Sequence, residues 1–185
     1  VVSNMGKFDS FRHHRQSIRR KGWDYRSPGY YFVTICTYQR QCLFETEIYH
    51  EIAANALCNV PKQPHAQHIE LDQWVVMPNH VHVIFVFKAI AKRANMKTAA
   101  IGFENASVGS LGVVVGRYKT AVTRRLNNLR RSLGSTVWHR GYYDRIIRNE
   151  REWRATQQYI IDNPKRWEED RENLDSLLAK MTYHR

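Results

Sequence analysis

The chain has 185 residues, 43% of them hydrophobic and 12% aromatic, with 29 lysines and arginines against 17 aspartates and glutamates, for a formal charge of +12. That length fits one domain with a real core, and the composition excludes a disordered chain. No apolar run approaches the roughly 18 residues that cross a bilayer and no apolar leader opens the chain, so the expectation is a soluble cytoplasmic protein whose charge calls for a polyanionic partner.

Residues 1–27 form a polar, basic arm in which Arg12, Arg15, Arg19 and Arg20 are interleaved with Phe11, Trp23 and Tyr25. Such cations track a phosphate backbone while the rings stack on bases, although an arm serving solubility alone has the same composition. After Pro28-Gly29, the β-branched and aromatic run Tyr30 to Tyr38 predicts a first strand. Glu45 to Asn59 carries Ile48, Ile52, Ala53, Ala56 and Leu57 at helical spacing, with Pro61 and Pro64 closing the helix. Cys36, Cys42 and Cys58 are odd in number and lack metal-ligand spacing, so they read as reduced thiols without function.

Ile69 to Val76 and Val81 to Phe87 predict two antiparallel strands joined by a tight turn at Pro78-Asn79. Strand side chains alternate, which puts His80 and His82 on one face and Val81, Val83 and Phe85 on the other. Two imidazoles on one rigid face are a candidate pair of divalent-metal ligands; the plainer alternative is a pair of half-exposed strand histidines.

Lys88 to Ser107 loses periodicity and reads as a crossing segment. From Val108 to Leu133 the apolar residues Leu111, Val115, Tyr118, Val122, Leu126 and Leu129 predict a long amphipathic helix, with Arg117, Lys119, Arg124 and Arg125 as candidate phosphate contacts on its other faces. Val137 to Arg148 predicts one or two short strands around Gly141. Asn149 and Glu152 resemble a capping box that starts a helix, and Pro164 ends it because the residue before a proline avoids the helical region. In the tail, Leu174, Leu177, Leu178 and Met181 lie at helical spacing. The order of elements suits a single α+β domain: an antiparallel sheet with helices packed away from its open side. Its parts are the arm at 1–27, the body at 28–167 and a helical tail at 168–185.

Met77-Pro78-Asn79-His80-Val81-His82-Val83-Ile84 resembles the His-hydrophobic-His motif of the HUH nucleases, whose fold is ferredoxin-like. Gly116-Arg117-Tyr118-Lys119, Trp138-His139-Arg140-Gly141-Tyr142-Tyr143-Asp144 and Tyr159-Ile160-Ile161-Asp162-Asn163-Pro164 look like the single-tyrosine transposases, in particular the REP-associated tyrosine transposase branch. The likeness runs from about Gly22 to Trp167. It implies a metal-dependent nuclease and strand transferase acting on single-stranded DNA with hairpin structure, through a 5′-phosphotyrosine intermediate and a released 3′-hydroxyl. Carried over by motif, Tyr159 is the nucleophile, and His80, His82 and Asn163 are the metal ligands, Asn163 standing where other members carry glutamine. The resemblance admits a monomer or a homodimer and implies no membrane partner.

The residues themselves agree with that assignment. Positions four apart share a helix face, so Tyr159 and the Asn163 carboxamide converge on one ion. Two neutral imidazoles and an amide leave coordination positions for phosphate oxygens and water, which suits Mg²⁺ or Mn²⁺. Alternatives stay open at this level. Tyr159 taken alone reads as a core aromatic, Tyr142 and Tyr143 compete as nucleophiles, and Asn163 before a proline could merely end the helix. A non-catalytic nucleic-acid-binding protein on the same scaffold is the rival function, and a replication-initiator nuclease would share the chemistry.

Overall fold

The computed structural model describes residues 23–89, 109–167, 178 and 180–184. Arg12, Arg15, Arg19 and Arg20 of the arm lie outside them. The elements are β1 (Gly29–Cys36), α1 (Glu47–Cys58), β2 (Ile69–Met77), β3 (His80–Phe87), α2 (Leu111–Leu129), β4 (Tyr142–Ile147), α3 (Glu150–Asp162) and β5 (Thr182–His184). The five strands form one antiparallel sheet in the order β2-β3-β1-β4-β5.

β1 and β3 are central, and both of their faces are covered. Tyr31, Val33 and Ile35 of β1 join Val81, Val83, Phe85 and Phe87 of β3 in a large core beneath α1 and α2. Phe32, Cys36 and Ile84 face a second, smaller core closed by Ile160 of α3 together with Leu178 and Met181. Burying side chains such as Tyr31, Ile35 and Phe85 completely contributes about 1.5–3 kcal/mol each. No face is left open as the element order alone suggested, because α3 lies on the side away from α1 and α2.

The helix ends follow local chemistry. α2 stops four residues before the expected Leu133, because Arg131 turns left-handed at φ 49° and lets the Ser132 N–H return to the Asn127 carbonyl at 2.9 Å. α3 starts as the sequence predicts. The Asn149 side chain accepts from Glu152 N at 2.9 Å, and the Glu152 carboxylate accepts from Arg148 N at 3.2 Å. Its far end departs from expectation: Asn163 keeps helical angles (φ −54°, ψ −46°), and Pro164 tightens the chain into a 3-10 turn over Asn163–Arg166. Asn163 thus takes helical angles although it precedes a proline, with its side chain buried.

Around Gly141 one strand forms, β4, within the one or two expected, while Trp138 makes an isolated bridge to Thr37. One sequence reading needs correction. In the tail, Thr182–His184 is not helical but an edge strand on β4, held by the buried pair Asp144–His184 and by the His184 ring between Tyr25 and Tyr142, each at 4.8 Å between centroids. Gly141 (φ +88°) permits this, since a Cβ there would collide with the His184 carbonyl. Cys36, Cys42 and Cys58 are all free thiols. No helix among the described residues is long and apolar enough to cross a membrane.

Candidate active site

Strand alternation delivers the arrangement that the sequence predicts: His80 and His82 point to the α3 side of the sheet, away from Val81 and Val83. They are completely buried rather than half-exposed, and their Nε2 atoms lie 2.9 Å apart. Neighbouring strands and turns give each Nδ1 an oxygen partner. Asn79 Oδ1 accepts from His80 Nδ1 at 2.7 Å. Thr34, directly across from His82 on β1, places Oγ1 2.9 Å from His82 Nδ1 and gives its own proton to Met181 Sδ at 3.6 Å. In the tautomers in which both Nδ1 atoms donate to these oxygens, both Nε2 atoms present lone pairs. Burial, reinforced by the charge of Arg40, pulls the His80 imidazolium down to about 3, and burial beside His80 pulls His82 well below the ordinary range, so both rings are neutral at pH 7.

From the other side α3 lowers Tyr159 onto this pair. Its hydroxyl stands 3.3 Å from His82 Nε2, with the ring edge-on to Phe32 and His82 at centroid distances of 6.1 and 5.3 Å. One turn on, Asn163 is buried and its Oδ1 finds no hydrogen-bond donor among the described residues. An orphaned buried amide oxygen costs about 1–3 kcal/mol unless something else engages it.

This donor set fits a divalent ion. Two cis ligands of an octahedral ion at about 2.1 Å lie about 3 Å apart, close to the 2.9 Å between the imidazole nitrogens. Among the described residues no group of three His, Cys, Asp or Glu side chains could hold a metal, and the buried amide oxygen of Asn163 is one further oxygen donor.

A cavity of about 450 Å³ opens beside Tyr159 and Phe32, walled by Arg145 of β4, Arg151 and Glu152 of α3, and Lys180. Sequence reasoning missed these cations. They are scattered over a strand, a helix and the tail, and no periodic signal joins them before the chain folds. The cations that it singled out on α2 lie elsewhere: Arg117, Arg124 and Arg125 line a groove of about 820 Å³ between α1 and α2, across the sheet from the histidines. Lys119 is different again. Its Nζ donates to the carbonyls of His139 and Gly141 at 2.7 and 2.8 Å, and burial lowers its pKa to about 8, so it ties down the loop before β4 instead of facing a phosphate.

Of the competing tyrosines, Tyr142 points into the large core, away from the histidines, and stacks on His184. Tyr143 is on the histidine side of the sheet, with its ring against Tyr183 at 4.8 Å.

No family model matches the chain. It is 34% identical over 179 residues to an uncharacterized protein of Haemophilus influenzae, spanning 91% of this chain and 98% of that protein. Among solved structures it is similar to a REP-associated tyrosine transposase bound to a REP hairpin, with a TM-score of 0.52 and 20% identity over 75% of this chain and 68% of that one. A chain from Deinococcus radiodurans R1 aligns at a TM-score of 0.42 and 19% identity, over 77% of this chain and 94% of that one.

Proposed function

From a chain that belongs to one family with the Haemophilus influenzae protein and has the fold of the REP-associated tyrosine transposase, we propose a metal-dependent transposase that nicks and rejoins single-stranded DNA carrying a hairpin. The observation that carries the reading is the Tyr159 hydroxyl 3.3 Å from His82 Nε2, beside a second neutral imidazole. Mg²⁺ or Mn²⁺, held by His80, His82 and Asn163, would favour the phenolate over the phenol and offset charge developing on the phosphate oxygens.

The chain's own part is positioning. Tyr159 Oη gives its proton to water and forms a bond to phosphorus, while the bond from phosphorus to the 3′-oxygen breaks. The 3′-oxygen takes up a proton, leaving a 5′-phosphotyrosine ester and a 3′-hydroxyl. Strand transfer reverses these steps with an incoming 3′-hydroxyl. Arg145, Arg151 and Lys180 attract the strand into the cavity beside the nucleophile. Arg117, Arg124 and Arg125 supply a second phosphate-binding face.

Incubating the protein with 5′- and 3′-labelled hairpin oligonucleotides and Mn²⁺, then resolving denatured protein, tests this. A covalent adduct that retains the 3′ label and is lost in Tyr159→Phe is the expected result. The rival reading, a non-catalytic binding protein, requires retention of hairpin DNA with no adduct under any divalent ion.

A further inference from the structure

β2 breaks register between Leu71 and Trp74: Leu71 lies opposite Phe85 and Trp74 opposite Val83, so Asp72 and Gln73 share the single position facing Ile84. This bulge lets both Leu71 and Trp74 pack on the large core while Asp72 turns to the other face, beneath α3. There its carboxylate receives two donors from the helix. Trp153 Nε1–H bonds to Oδ2, and Gln157 Nε2 donates to Oδ1 at 2.8 Å. Trp153 and Gln157 are one turn apart, so a single carboxylate grips α3 at two levels and resists both rotation and sliding. A carboxylate acceptor makes such bonds about twice as strong as neutral ones.

Resting on the assignment of Tyr159 as nucleophile, we propose that Asp72 is a positioning residue for it. Tyr159, whose hydroxyl meets His82, follows Gln157 by two residues on α3. A helix rotation of about 10° displaces a group about 6 Å from the axis by about 1 Å. A misplacement of that size costs up to about a hundredfold in rate. Ile160 is the one fully buried residue of α3 in the small core, with Trp153 and Tyr159 only partly buried against it, so two directed hydrogen bonds add to a modest apolar contact.

The test uses the full chain with Asp72→Ala, Asp72→Asn, and Trp153→Phe combined with Gln157→Leu, the last removing both donors from α3 and leaving Asp72 intact. At saturating hairpin DNA, Asp72→Ala slows single-turnover adduct formation by roughly 10–100-fold with the half-saturating DNA concentration within about twofold of the unsubstituted protein, because orientation and not strand binding is lost. Asp72→Asn, which keeps one acceptor oxygen, falls between. Adding Asp72→Ala to the double donor variant slows it no further, since both changes cut the same bonds. A loss that multiplies, or an Asp72→Ala protein that forms adduct at the original rate, overturns the proposal. A second readout does not need activity. In protein labelled with 3-fluorotyrosine, the ¹⁹F line assigned to Tyr159 by its absence in Tyr159→Phe broadens or splits in Asp72→Ala. An unchanged line overturns the clamp even if no adduct ever forms, whereas a changed line without any adduct overturns the nucleophile assignment alone.

Discussion

Nε2 of His80 and Nε2 of His82 lie 2.9 Å apart, each ring turned by a hydrogen bond at its other nitrogen so that two lone pairs converge in a fully buried space. A divalent cation can take the lone pairs of both nitrogens at once. Replacing both histidines with alanine is expected to abolish metal-dependent cleavage while hairpin binding persists, because phosphate contacts dominate affinity. Calorimetric titration with Mn²⁺ and a cleavage assay check it. Undiminished metal-dependent cleavage in the double variant defeats the metal-site reading.

The hydroxyl of Thr34 sets the His82 tautomer from a neighbouring strand. Thr34→Val keeps the side-chain volume and strands the Nδ1–H, so metal affinity should fall by about 10–100-fold, as for other groups that orient a metal-bound histidine. Thr34→Ser restores the acceptor and should recover most of it. Equal affinities for the valine and serine variants would show that the hydroxyl sets nothing.

Acid should destabilise the metal-free protein early. The folded pKa of His80 is lowered to about 3, against about 6.5 when unfolded. The unfolded chain therefore binds the extra proton first, and stability present above pH 6.5 is lost progressively as pH falls from 6.5 towards 3. Melting temperatures in chelator should drop between pH 7 and pH 5, and the slope should flatten in His80→Ala. Parallel curves for the two proteins would refute the linkage.

Arg124 and Arg125 face a groove across the sheet from Tyr159. Neutralising both should weaken DNA binding for every sequence and flatten its salt dependence by about one unit of slope per lost phosphate contact. The adduct rate at saturating DNA should hardly change. An unaltered salt slope would mean that these side chains face solvent alone.

Asn163→Ala should give a graded defect, with more Mn²⁺ needed for half-maximal cleavage, since the proposed amide donor is removed and the Tyr159 ring stays packed on Phe32. If the metal requirement is unchanged, Asn163 serves only to end α3.

The sequence by itself determined which residues share a face. Strand alternation through His80-Val81-His82 is a property of one element, fixed by backbone geometry over a few residues. The capping box at Asn149 and Glu152 was legible for the same reason. Only the tertiary structure decided what each face meets. Thr34 reaches His82 across 48 positions of chain, and Asp72 reaches Gln157 across 85. Periodicity marked the α2 arginines as lying off its apolar stripe, yet it could not say that α2 would pack on the side of the sheet opposite Tyr159. Lys119 has the same local signature as Arg117 but is drawn inward by two loop carbonyls that come from 20 and 22 residues away. The last strand, Thr182–His184, carried a helical pattern upstream and became β because β4 offered an unpaired edge and Asp144 a buried partner for His184. Local spacing specifies a direction from the backbone, whereas the surface found in that direction is set by contacts between distant segments, which no local window contains.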